Sequence, residues 1–100
     1  SFDVLVPLFN KKQHIINLVD SLLLNNFGYN KVLIIDDCST DGSYELVYDK
    51  YYNNAMINLY RMEHNSGPQN VRMKAYDLSK CEWLFNLIQR SRILSIVNVQ

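Results

Sequence analysis

Glycine and proline are scarce, three and two in 100 residues, and 48% of the chain is hydrophobic. That composition excludes a low-complexity linker or a disordered tail, which could not be this apolar. Charge of one sign is missing too. Ten basic and ten acidic side chains cancel, leaving no field or charge block to gather nucleic acid or an anionic membrane. Long apolar runs are absent: stretches such as Leu22–Leu24 and Val32–Ile35 fall far short of the roughly 18–20 residues that cross a bilayer. Cys38 and Cys81 form no C-x-x-C pair and have no histidine at zinc-site spacing. Free thiols in a reducing cytosol are therefore expected, not a disulfide framework or a structural zinc site. Ser1-Phe2-Asp3 carries no initiator Met and no basic n-region, so the start reads as neither a signal peptide nor a necessary natural beginning.

A chain of this length buries roughly two-thirds of its unfolded surface and has room for one domain. Val4-Leu5-Val6 is a β-branched-rich run, and Pro7, which cannot donate to a ladder, predicts that the strand stops there. Asn10 with Gln13 three residues on predicts a helix start. Ile15, Leu18, Val19 and Leu22 give that helix its apolar stripe, and Gly28 is placed to end the element. Val32 to Ile35 is apolar at every position, as in a strand covered on both faces. After loop chemistry at Cys38–Gly42, the residues Tyr44, Val47, Tyr48 and Tyr51 repeat the helical stripe. Ile57–Met62 alternates and predicts a third strand nearer an edge. Asn65-Ser66-Gly67-Pro68 breaks the chain and opens a helix with Val71, Ala75 and Leu78 inward, and Trp83–Leu87 is a fourth strand. This alternation predicts an α/β fold: a doubly wound, mostly parallel sheet of about four strands with helices on both faces. Residues 88–100 show no clear period and stay unassigned.

Ligands of open α/β sheets sit at the carboxyl ends of the strands, which singles out Pro7-Leu8-Phe9-Asn10 and Asp36-Asp37. The first loop has no glycine, so it cannot wrap a pyrophosphate as G-x-G-x-x-G does, and an NAD-type dehydrogenase is disfavoured. An acid after strand two can accept hydrogen bonds from a ribose hydroxyl or a base N–H. Equally, it can tie its own loop together through bonds to nearby amides. His14 and His64 have no partner at ligand or triad spacing, and the tyrosines fit packing; no catalytic residue is assigned.

Val4-Leu5-Val6-Pro7-Leu8-Phe9-Asn10-Lys11, Leu33-Ile34-Ile35-Asp36-Asp37-Cys38-Ser39-Thr40-Asp41-Gly42-Ser43, and Asn65-Ser66-Gly67-Pro68 with Arg72 come in order along the chain. Together they resemble the three signatures of family 2 glycosyltransferases of the GT-A type, over about Phe2 to Leu87. The resemblance implies a Rossmann-like half domain over residues 1–87 that binds a nucleotide-sugar, namely a UDP-sugar. It further implies transfer of the sugar to a glycan or lipid-linked acceptor hydroxyl, as in polysaccharide biosynthesis. Pro7, Phe9 and Asp37 would hold uracil and ribose, Asp36 and Ser39 would support the loop, and Arg72 would offer a fixed guanidinium to acids or phosphates. Phe9 stands for a usual tyrosine, keeping stacking but losing a hydroxyl. Cys38 stands for a usual glycine or small residue, and Val71 and Met73 for a usual alanine and asparagine.

The family pattern continues into a D-x-D that holds Mn²⁺ or Mg²⁺, the cofactor expected of the intact enzyme. Here the residues are Ile88-Gln89-Arg90, and a hard divalent cation needs oxygen ligands that they do not supply. No metal site or cofactor is assigned to this chain, and no general base follows. So abrupt a loss of agreement after Leu87 fits a frameshift or premature stop better than gradual divergence. Arg90 or Arg92 replacing the metal on a diphosphate is a sharper alternative. Two readings stay open: the donor half of a glycosyltransferase, or a non-catalytic remnant that binds nucleotide or a partner without turnover. A phospho-receiver-like domain ranks last, because it expects its acid pair after strand one. The expected location is cytoplasmic, peripheral to the cytoplasmic membrane face. Self-association is expected if the fourth strand is an open edge.

Overall fold

The computed structural model describes residues 1–87 in full and the backbone of residues 94–98. Its elements run β1 (Phe2–Leu8), α1 (Ile15–Leu24), β2 (Val32–Asp36), α2 (Ser43–Tyr51), β3 (Ile57–Arg61), α3 (Pro68–Leu78), β4 (Trp83–Leu87) and β5 (Leu94–Asn98). The strands form a sheet of order β3-β2-β1-β4-β5. Pairing is parallel throughout β3-β2-β1-β4 and antiparallel between β4 and β5.

The period-two geometry of the strands sorts the core into two halves. Val4, Val6, Leu8, Val32 and Ile34 pack with Ile15, Val19 and Leu22 of α1 and Val47 and Tyr51 of α2. Leu5, Leu33, Ile35 and Leu84 pack on the other face with Val71 and Ala75 of α3. The sheet is thus doubly wound, and the parallel order reverses between β1 and β4. Among the described residues no helix is long and apolar enough to cross a membrane.

Four local expectations are corrected. β1 does not stop at Pro7 but runs to Leu8, with Pro7 in register with Ile35. Val4 N–H donates to Lys31 and Leu8 C=O accepts from Asp37, so alternate residues of β1 face β2 and Pro7 turns its ring nitrogen to the β4 side. The ladder to β2 needs no Pro7 N–H. α1 begins at Ile15, not at Asn10. Asn10 sits at φ +51 and accepts from Thr40 N–H at 2.8 Å, so its side chain serves a neighbouring loop and not the helix end.

In α2 the inward column is Ser43, Val47 and Tyr51, whereas Tyr48 is 49% exposed. Tyr44, Tyr48 and Tyr52 instead line up along the outside, with successive ring centroids 6.2 and 5.9 Å apart. Tyrosines occur on both sides of this helix, and composition alone does not say which of them face in. Lastly, the sheet has a fifth strand, placed in the stretch that showed no period. β5 pairs with β4 from Trp83↔Asn98 to Leu87↔Leu94, so β4 is not an edge. β3, whose burial alternates, does lie at an edge as expected.

At the opposite end of the sheet from the β-strand carboxyl termini, Asp3 is 2% exposed. Its carboxylate accepts from Ser79 Oγ at 2.6 Å, Lys31 N–H at 3.0 Å, Asn30 Nδ2 at 3.3 Å and Cys81 Sγ at 3.4 Å. It joins β1 to the segments entering β2 and β4. Asp3→Ala strands these donors, and hydrogen bonds to a buried charged group contribute about 1.5–3 kcal/mol each before relaxation. We expect a loss of about 3 kcal/mol in urea unfolding, with the far-ultraviolet spectrum of the folded state unchanged.

Candidate functional site

β2 leads into two successive acids that face opposite sides of the sheet. Asp36 follows Val32 and Ile34 towards α1 and α2, and Asp37 follows Leu33 and Ile35 towards α3. Asp37 N–H still donates to Leu8 C=O at 2.8 Å, so the alternation holds through it.

Asp36 is wholly buried and must be partnered within the protein. Its carboxylate accepts from Ser39 N–H at 3.0 Å and Ser39 Oγ at 2.5 Å, and Arg61 Nε lies 3.4 Å away. Arg61 also donates to Ser39 C=O at 3.1 Å, pairs with Glu45 at 3.3 Å and covers the Tyr44 ring at 4.8 Å. Ser39 Oγ in turn accepts from Asn10 N–H at 2.9 Å. Further bonds zip the β1 and β2 loops together: Lys11 N–H to Ser43 Oγ at 3.0 Å, and Lys12 N–H to Asp41 at 3.2 Å. Asp36 and Ser39 thus brace the loops and lie outside the cavity described next.

Asp37 reaches the other way. One of its oxygens accepts from Ser66 N–H at 2.8 Å and Ser66 Oγ at 3.1 Å, and the second from Gly67 N–H at 2.9 Å. Gly67 has φ +91 and ψ 163, a region essentially closed to residues with a Cβ. Pro68 follows at the first turn of α3, where its missing N–H costs nothing. A cavity of about 570 Å³ opens here, at the carboxyl ends of β1 and β4 and the start of α3. Pro7, Leu8, Phe9, Lys11, Asp37, Asn65, Gly67, Pro68, Val71, Arg72 and Asn86 line it. Its size is that of a small-molecule or cofactor site, and its place is the switch point where parallel sheets hold ligands.

Of the residues singled out in the sequence, Pro7, Phe9, Asp37 and Arg72 converge on this cavity. Phe9 is 44% exposed, an aromatic face left open at the rim. Among the described residues no hydrogen bond or ion pair engages the Arg72 guanidinium, so the bracing arginine of the structure is Arg61. Sequence reasoning passed over Arg61, although its register opposite Asp36 explains its role once the strands are aligned. Asn86 was passed over as well. It is 6% exposed and its Oδ1 has no hydrogen-bond partner among the described residues, and such an orphan costs about 1–3 kcal/mol.

The donor set does not fit a divalent cation. The cavity has one carboxylate, Asp37, already accepting three hydrogen bonds, and no group of three metal-ligating side chains occurs among the described residues. Ile88, Gln89, Arg90 and Arg92 lie outside the described residues.

An open, mostly parallel α/β sheet with its cavity at the switch point defines a ligand-binding domain of the doubly wound class. The chain belongs to glycosyl transferase family 2, whose family model matches residues 3–87. It is 37% identical over 79 residues to the poly(ribitol-phosphate) β-N-acetylglucosaminyltransferase TarS of Staphylococcus aureus, across 73% of this chain and 14% of that protein. It is 31% identical over 74 residues to the putative teichuronic acid biosynthesis glycosyltransferase TuaG of Bacillus subtilis, across 74% of this chain and 29% of the relative. The chain therefore spans less than a third of the length of either relative. The crystal structure of TarS in complex with UDP-GlcNAc superposes with a TM-score of 0.75 at 32% identity, covering 87% of this chain and 26% of that one. A mannosyltransferase from Pyrobaculum calidifontis, solved with GDP-Man and Mn²⁺, shares the fold at a TM-score of 0.73 and 19% identity, covering 84% of this chain and 26% of that one.

Two predictions test the loop framework. Cys38 has φ +64, and a left-handed conformation costs a side-chain-bearing residue roughly 1–2 kcal/mol. Cys38→Gly should raise unfolding stability by about 1 kcal/mol, part of the strain relief being offset by the greater freedom of the unfolded chain. A urea midpoint checks this. The Asp41 carboxyl is held below its ordinary range, chiefly by the hydrogen bond from the Ser43 hydroxyl, with the Ser43 and Lys12 backbone N–H groups adding and desolvation opposing. A depressed folded pKa gives stability that is present above the free carboxylate value of about 3.9 and lost as pH falls through the folded value. Asp41→Asn should therefore be less stable than the parent at pH 7, and the gap should shrink below about pH 4 in urea titrations.

Proposed function

We propose that residues 1–87 are the donor-binding part of a glycosyltransferase and that the cavity takes the nucleoside end of a nucleotide-sugar, with UDP-sugars the preferred class. The convergence of Pro7, Phe9, Asp37 and Arg72 on one cavity at the switch point carries this reading. The rim aromatic Phe9 offers a stacking face for a base, Asp37 an acceptor for base or ribose donors, and the unengaged Arg72 a fork for phosphate oxygens. Asp36 and Ser39 act indirectly, by holding the loops that present Phe9. The solved complex of TarS with UDP-GlcNAc, similar over most of this chain, supports a uridine nucleotide as ligand. In the whole enzyme the sugar would pass to a hydroxyl of a glycan or lipid-linked acceptor, at the cytoplasmic membrane face. Mn²⁺ or Mg²⁺ would be held there by carboxylates that the described residues do not include.

A second reading, binding without turnover, is favoured by the single carboxylate of the cavity and by the Ile88-Gln89-Arg90 sequence where the family's metal ligands belong. Self-association would use the open side of β3, not β4. Calorimetric titration of the 100-residue chain with UDP, with and without Mg²⁺, tests the site. We expect binding that does not require the metal and that weakens about tenfold in Arg72→Ala, the effect of about 1.4 kcal/mol of lost phosphate contact. Failure of UDP to bind at millimolar concentration overturns the reading. Sugar transfer from UDP-GlcNAc by this chain would overturn the binding-only alternative.

A further inference from the structure

Asn86 occupies a strand position that an apolar residue would fill. Two residues earlier on the same face of β4, Leu84 is fully buried against the α3 side of the core. Asn86 is itself more than nine-tenths buried, and its Oδ1 is the buried side-chain oxygen left without a donor among the described residues. The side chain lines the cavity from β4, across the switch point from Pro7 of β1 and in the same cavity as Asp37 and Arg72. A polar group without a partner among the described residues, in a cavity also lined by Asp37, Arg72, Lys11 and Asn65, is suited to a partner that arrives with the ligand.

We propose that Asn86 is a specificity-determining residue of the cavity, its side-chain amide oxygen accepting a hydrogen bond from the nucleoside of the bound nucleotide. This inference rests on the nucleotide-site reading above. The chemistry of the orphan selects the end of the ligand. Base N–H groups and ribose hydroxyls donate, while an ionised diphosphate only accepts, so an unsatisfied acceptor matches the nucleoside. Arg72, with five donors and no acceptor, matches the phosphates. As placed, the oxygen is inaccessible; the terminal amide torsion of asparagine is broad and roughly two-fold, so turning the amide about it would present the oxygen to the ligand without moving β4.

Titration of the 100-residue chain with uridine and with UDP, in the parent and in Asn86→Leu, separates the outcomes. Removing the orphan while keeping the volume should leave the thermal midpoint equal or higher. The same change should weaken uridine and UDP by the same factor, about tenfold or about 1.4 kcal/mol. Asn86→Val serves the same purpose should leucine overpack the floor, with circular dichroism establishing that the variant is folded. Unchanged affinity for both ligands in a folded variant overturns the proposal and leaves the nucleotide site standing. Loss confined to UDP, with uridine unaffected, also overturns it, because the amide would then meet the diphosphate. If the parent binds neither ligand, the site reading falls and this inference with it.

Discussion

A carboxylate wholly removed from water has to be surrounded by donors, and Asp36 is such a group. Its demand is met by the Ser39 N–H and hydroxyl and by Arg61. Each partner then ties in another segment: Ser39 accepts from the Asn10 amide, and Arg61 brings the end of β3 onto α2 through Glu45 and Tyr44. The loop after β1, which carries Phe9, thereby inherits its position from a buried acid on the neighbouring strand. Breaking this pair by removing one partner would leave a charge buried without compensation.

Asp37 performs the complementary task on the other face. It holds the amides of Ser66 and Gly67 at the entrance to α3, and α3 carries Arg72 into the cavity. Two adjacent acids therefore fix the two sides of one site, because a strand sends consecutive side chains to opposite faces. The side chains that this framework presents to the cavity without consuming them are the Phe9 ring, the Arg72 guanidinium and the Asn86 amide.

Membership of glycosyl transferase family 2 extends through Leu87, and the parallel part of the sheet, β3-β2-β1-β4, ends at the same residue. The cavity presents an aromatic face, hydrogen-bonding groups and a guanidinium around one carboxylate. That division matches the chemistry: base and ribose are read by aromatic faces and hydrogen bonds, whereas a hard cation needs several converging oxygens. The described residues offer the first set without the second.

Much of this was legible in the sequence because it depends on local pattern. The alternation of β-branched runs with apolar stripes gave the doubly wound class, and the motifs at Pro7–Asn10, Asp36–Asp37 and Asn65–Arg72 marked the loops that meet at the cavity. Helix limits were less legible: Asn10 has a capping side chain, yet a neighbouring loop claims it. β5 was not legible at all, since its five residues acquire strand character from pairing with β4. The sequence by itself determined which residues are apolar at which period, and hence the faces and the order of elements. Only the tertiary structure decided which tyrosines of α2 turn inward, which arginine braces and which stays open, and that Asn86 is buried without a partner among the described residues. Those outcomes depend on strand register and on neighbours distant in the chain, which no local window contains.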